Sequence, residues 1–225
     1  MKQKKIRMKR RALTTIATLG VLLMTLPNLF AGEIIIDDFS QGIGPGWREK
    51  KFSGRTTYTS SIEDGVHCLK ATSTAAASAL IYEIKFSAEK YPLLTWKWKI
   101  ESPIAGGDAR KKEGDDYAAR VYVIFPSALF WKTRAINYIW ANRLPQGSAL
   151  PNPFVKNAIM VAVESGAAAA GTWKQEKRNI RDDYRQYFGG EPPEIGGIAI
   201  MTDTDNTGQS ATAWYGPITL QSSED

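Results

Sequence analysis

The chain has 225 residues, of which 43% are hydrophobic, 23% charged and 11% aromatic, a globular composition rather than a disordered or collagenous one. Its formal charge of +6 resides in the first 31 residues, which hold seven Lys or Arg and no acid, while the other 194 carry 22 basic and 23 acidic groups. A basic nucleic-acid-binding body is excluded, and one Cys with one His excludes a disulfide framework, a zinc finger and a His-rich metal site.

The N-terminus reads as an address. Lys2, Lys4, Lys5, Arg7, Lys9, Arg10 and Arg11 precede an apolar stretch from Ala12 to Phe30, and Ala31 stands before Gly32. A basic start, an apolar middle and a small residue at the end form an export signal. The expectation is a signal peptide over residues 1–31 and one mature domain over 32–225, periplasmic or secreted. The stretch approaches the ~20 residues of a membrane span. Thr14, Thr15, Thr18, Gly20, Thr25, Pro27 and Asn28 make it a poor permanent anchor, so membrane contact is expected only through this segment. Cys68 has no partner in cis and reads as a buried thiol packed as a small hydrophobe.

In chain order, strands are predicted at Ile34–Phe39, Val66–Thr72, Ala79–Phe86, Leu93–Ile100 and Ala118–Phe125, then at Ala158–Glu164, Ile198–Met201 and Ala211–Leu220. Each is β-branched, aromatic or alternating, and turn residues bound it. The stretch from Phe130 to Lys156, with Trp131, Trp140, Phe154 and three prolines, reads as an aromatic-rich excursion between strands. One short helix is predicted near 180–188. Asn179 caps it, Gly189 stops it, and Ile180, Tyr184, Tyr187 and Phe188 share one face. Many short strands without long amphipathic helices indicate an all-β antiparallel sandwich or barrel in one domain.

Several runs could carry chemistry. In Leu94-Thr95-Trp96-Lys97-Trp98-Lys99-Ile100, alternation places both tryptophans on the face of Leu94 and Ile100, the position of core residues. Trp131, Trp140, Trp173 and Trp214 lack such flanks and are candidate platforms for sugar rings. Arg120 lies in an apolar strand on the same face as Asp116 and Tyr122. Four strand residues span about 13 Å, so Arg120 and Asp116 each need a partner on a neighbouring strand if buried. Arg120 is then a buried ion-pair member or a ligand for an anion in a cleft. Downstream, Ile198–Met201 runs into Thr202-Asp203-Thr204-Asp205-Asn206, a loop dense in oxygen donors. Asp203 and Asp205, about 7 Å apart at Cα on one face, could hold a Ca²⁺ with Asn206. They could also serve as a glycosidase pair, or simply close an Asx-rich turn. No phosphate-binding loop, dinucleotide fingerprint, nucleophile elbow or His-Glu-x-x-His run is present.

Five stretches carry a family resemblance. They are Trp96–Lys99, Gly114–Val123, Tyr138–Trp140, Glu176–Asn179 continuing through Asp183-Tyr184, and Gly197–Thr207. Through them the chain resembles the bacterial exported domain-of-unknown-function family 3047. The resemblance implies an antiparallel, jelly-roll β-sandwich like those of carbohydrate-binding modules, and it implies no established activity. The charged set it highlights is Asp115, Asp116, Arg120, Asp183, Asp203 and Asp205. Together with Trp140, Trp173 and Asn206 these are the candidate ligand-binding residues.

The reading that follows is an exported, non-catalytic sandwich binding a carbohydrate or cell-envelope glycan. Stacking would come from Trp131, Trp140 or Trp173, and hydrogen bonds from Asp116, Arg120 and Asp205. One alternative is an envelope assembly domain that docks a protein through the aromatic excursion. Another is a carboxylate-based glycan hydrolase or lyase using Asp116, Asp203 or Asp205.

Overall fold

A computed structural model describes residues 32–223. The predicted signal segment lies outside the described residues. Among the described residues thirteen strands form two sheets, with a single short α-helix. One sheet holds β1 (Glu33–Asp37), β3 (Thr57–Glu63), β4 (Val66–Thr74), β6 (Leu93–Ile100), β11 (Lys174–Asn179) and β13 (Ser210–Gln221). Its order is β11-β6-β13-β4-β3, with β1 also on β13. The other holds β2 (Trp47–Ser53), β5 (Ala77–Phe86), β7 (Arg120–Phe125), β8 (Arg134–Ala141), β9 (Ala149–Pro151), β10 (Ala158–Ser165) and β12 (Ile195–Asp203). Its order is β2-β5-β12-β7-β8-β10-β9. The architecture is the expected all-β sandwich. No helix among the described residues is long and apolar enough to cross a membrane.

The core lies between the sheets and is aromatic at its centre. Trp96 and Trp98 on β6 are fully buried, as their alternation predicts. Trp96 stacks on Tyr138 of the opposite sheet at 5.2 Å between ring centroids, and Trp98 meets Trp140 at 5.9 Å. These contacts tie β6 to β8 across the sandwich. Each ring buries on the order of 150–250 Å², so the four dominate local packing. Cys68 is fully buried on β4, in line with its reading as a small hydrophobe.

Two features depart from the sequence reading. The excursion after Phe130 contains β8, a strand in the middle of its sheet, with Ile136, Tyr138 and Trp140 facing the core. Its other face is also covered, since Ile139 and Ala141 pack with Tyr117, Leu144 and Met160 under the surrounding loops. A strand buried on both faces has no polar alternation to betray it. In addition, β8 and β10 pair in parallel, whereas the expectation was antiparallel throughout. The long connection between them supplies the crossover that parallel pairing requires.

The helix α1 (Ile180–Phe188) forms as predicted. The Asn179 side chain accepts from the backbone N–H groups of Arg181 and Asp182, and Gly189 ends it at φ +71°. Ile180 and Tyr184 are buried against the core, which docks α1 on one end of the sandwich.

Candidate functional site

Two charged regions sit at opposite ends of the β7–β8 ladder. The first lies on the outer face of the seven-stranded sheet, where Arg120 opens β7 and Asp203 closes β12. The ladder pairs Arg120 with Met201, which brings it beside Asp203. The guanidinium Nε donates to Asp203 Oδ1 at 2.7 Å, and Nη2 donates to Asp203 Oδ2 and to the Asp115 carbonyl. Nη1 donates to Tyr122 Oη at 3.2 Å, and the group lies over the Tyr117 ring at 4.3 Å. Arg120 is therefore the buried ion-pair member of the two sequence readings, with its partner on a neighbouring strand.

Burial pushes the Asp203 carboxyl up to about 7, against the pull of Arg120 and with the help of Asp116 and Asp115. Asp116 serves the next loop. Its Oδ1 accepts from Asn206 N and Nδ2, and its Oδ2 accepts from Thr207 N at 2.6 Å. Carboxylate oxygens of Asp116, Asp203 and half-exposed Asp205 lie within 4.8 Å of one another. Those of Asp116 and Asp203 already receive N–H donors, and Arg120 contributes a positive charge to the same cluster. The Asp115 Oδ2 accepts from Asn152 Nδ2 at 2.7 Å. Its other oxygen, 3.8 Å from Arg120 Nη1, is buried without a hydrogen bond, as are Tyr117 Oη and Asn137 Oδ1.

The second region is open. A cleft of about 360 Å³ at the helix end of the sandwich is lined by Phe125, Ser127, Lys132, Arg134, Asn157 and Tyr184, with Pro126 and Pro193. Arg134 begins β8. Its Nη1 donates to Tyr184 Oη at 2.7 Å, and its guanidinium lies 5.0 Å from the Phe188 ring and 5.7 Å from the Tyr184 ring. Neither Arg134 nor Lys132 pairs with a carboxylate among the described residues. Beside the cleft, a single 3-10 turn over Phe130–Lys132 pushes Phe130 and Trp131 into solvent, 80% and 59% exposed. The Trp131 carbonyl accepts from the cleft residue Asn157, which fastens the turn to the rim. Leu129, Phe154 and Val155 add further exposed apolar surface.

The sequence-predicted residues divide between these places and the core. Trp140 is a correction. It is fully buried, and its Nε1 donates to the Gly166 carbonyl, so it presents no ring to a ligand. Asp183 is another. Arg178 and Tyr138 Oη occupy its carboxylate, with Arg178 Nε at 3.0 Å and Tyr138 Oη at 2.6 Å, and it is 4% exposed. It tethers α1 to the core. Trp173 lies half-buried on the outer face of the six-stranded sheet, with Lys99 Nζ over its ring at 5.8 Å and its Nε1 donating to the Glu63 carbonyl. Lys99 in turn bonds Glu63 and Asp64. Asp115, Asp116, Arg120, Asp203, Asp205 and Asn206 do come together, at the first region. Of the three tryptophans proposed for stacking, Trp131 alone is an exposed ring. Sequence reasoning missed Ser127, Arg134, Asn157 and Tyr184. The adjacent Phe130-Trp131-Lys132, beside a turn, was the one local signal for them.

Fold and site together define a two-sheet β-sandwich domain with a sealed ionic centre and an open cationic-aromatic end. A family model described as "Protein of unknown function (DUF3047)" matches residues 45–219, and the chain belongs to that family. No curated protein matches it in sequence. Among solved structures, the chain is similar to a family 30 carbohydrate-binding module of a cellulosomal cellulase of Clostridium thermocellum. There the TM-score is 0.46 and the identity 11%, over 86% of this chain and 99% of that one. It is also similar to the K1 cleaved adhesin domain of Lys-gingipain from Porphyromonas gingivalis, with TM-score 0.44 and 12% identity over 86% and 100%. At these values the similarities carry no argument about the site.

Proposed function

We propose that this protein is an exported, non-catalytic binding domain whose ligand is a carbohydrate, a glycan of the cell envelope above all. The observation that carries this reading is the exposed Phe130–Trp131 pair at the rim of a cleft with polar groups from Ser127, Lys132, Arg134 and Asn157. An exposed ring next to convergent hydrogen-bonding groups suits a sugar, which offers an apolar ring face and a hydroxyl edge. The stacking role assigned from sequence to three tryptophans falls to Trp131. Export rests on the basic and apolar N-terminal segment.

The test is a thermal-shift titration of the purified protein against envelope and plant oligosaccharides. A sugar at 100 times its dissociation constant adds about 2.7 kcal/mol, which raises the melting temperature visibly. The rise is expected to vanish in Trp131→Ala. No shift with any sugar would remove the proposal. Ca²⁺ belongs in the same titration, because Asp116, Asp203 and Asp205 are close enough to share a cation.

A second reading, protein docking in the envelope, is favoured by the exposed run Leu129, Phe130, Trp131 with Phe154 and Val155. Cross-linking in the intact envelope to one protein, with no sugar bound, would select it. The hydrolase or lyase reading requires turnover of an envelope polysaccharide that Asp203→Asn abolishes with the fold intact.

A further inference from the structure

The two cations of the open cleft, half-buried Arg134 and exposed Lys132, contrast with three cations that are pinned by carboxylates at buried or half-buried positions. Lys99, Arg120 and Arg178 each meet carboxylates. Arg134 and Lys132 meet none among the described residues, although Arg134 is held in place. Its guanidinium is oriented by the Tyr184 hydroxyl and covered by the Tyr184 and Phe188 rings. Those rings are fixed in turn. Tyr184 packs on Phe125 at 4.7 Å between centroids and on Phe188 at 5.0 Å. The Asn179 cap and the Arg178–Asp183 pair hold the helix that carries both. A guanidinium has five N–H donors in a planar fork that matches an oxyanion. One of these goes to Tyr184, and the residue lines the cleft. An ion pair with an internal carboxylate would have consumed that fork.

We propose that the cleft recognises an anionic sugar, with Arg134 and Lys132 binding a carboxylate or phosphate group on the glycan while Trp131 packs on its ring. This rests on the glycan reading and adds the charge of the ligand. Ser127 and Asn157 are placed to accept from and donate to neighbouring hydroxyls: the Ser127 hydroxyl is a donor and acceptor, and the Asn157 carbonyl oxygen remains after its amide donates to Trp131. Tyr184 and Phe188 are positioning residues that hold Arg134. An oxyanion on a preorganised arginine is bound through charge-assisted hydrogen bonds, about twice as strong as neutral ones.

The experiment uses pairs of probes that differ only in charge. Oligogalacturonate is compared with its full methyl ester, and a phosphorylated mannan fragment with the same fragment after phosphatase treatment. Each is titrated calorimetrically into the purified protein, Arg134→Gln and Trp131→Ala. The expected result is that one charged probe binds at least tenfold tighter than its neutral twin. Arg134→Gln weakens that probe by much more than its neutral twin and so closes the gap between them, and raised salt weakens only the charged member. Which pair shows the difference tells carboxylate from phosphate. Equal affinity within both pairs, abolished by Trp131→Ala, would overturn the charge assignment and leave the glycan reading standing. Binding to none of the four would overturn both. Inorganic phosphate binding as tightly as the phosphorylated fragment would overturn the role of the sugar. Tyr184→Phe, which keeps the ring and removes the hydroxyl that orients Arg134, is expected to lower the charged-to-neutral ratio by weakening the charged probe more than the neutral one. A merely structural loss would lower both equally and leave the ratio unchanged.

Discussion

Arg120 and Arg134 stand on neighbouring antiparallel strands, five ladder positions apart, since Arg120 faces Ile139 and Phe125 faces Arg134. The first is sealed under loops and bound to Asp203, Asp115 and Tyr122. The second is covered by two rings and has no carboxylate. A charge taken out of water needs compensation from inside the protein, which is why Arg120 brings a carboxylate with it. A half-exposed charge keeps part of its hydration and has its fork to spare. The same residue type is therefore internal structure at one end of a strand pair and a cleft-lining group at the other.

Measurements of stability and reactivity sharpen or break this contrast, beginning with the largest expected effect. Asp203→Leu or Arg120→Met alone is expected to cost about 3–5 kcal/mol in urea unfolding, because each strands a buried polar partner. The double variant Arg120→Met with Asp203→Leu is expected to recover most of that loss. Arg134→Met should change stability by only about 0.5–1 kcal/mol. If Arg134→Met were as destabilising as Arg120→Met, the distinction between the two ends would collapse. Trp140→Ala should cost about 3–5 kcal/mol by opening a core cavity, while Trp131→Ala stays within about 0.5 kcal/mol and loses sugar binding.

The pH dependence comes next. The Asp203 carboxyl is held above its unfolded value by burial, so the folded chain binds that proton more tightly. Its contribution is complete below the unfolded value of 3.8 and is lost as pH rises through about 7. Relative to Asp203→Asn, the melting temperature of the unsubstituted protein is expected to fall between pH 5 and pH 8. A parallel pair of pH curves would contradict this. A modest stability effect is expected at the cap, where Asn179→Ala should cost about 1 kcal/mol and loosen the helix that holds Arg134. A chemical probe completes the set. Burial pushes the Cys68 thiol up to about 11, so it should resist a disulfide reagent at pH 8 until the protein is unfolded.

Local chemistry in the sequence accounts for much of this. Strict alternation around Trp96 and Trp98 places both in the core, and Asn179 with Gly189 marks the ends of α1. The spacing of Asp116 and Arg120 implies that each needs a partner elsewhere, and Asp203 is that partner for Arg120. These are statements about period, capping and the cost of burying charge, which are properties of neighbouring residues. What only the tertiary structure decided was whether a given aromatic or charge faces core or solvent. Trp140 and Trp131 both read as unflanked rings, and β8 draws one into the sandwich while a 3-10 turn exposes the other. Arg134 carried no signal of its own beyond the neighbouring Phe130-Trp131-Lys132, because its site is assembled from the end of β7, the start of β8, the loop at Asn157 and α1. Those segments are distant in the chain, and burial and proximity between them are set by how the two sheets stack and where the helix docks.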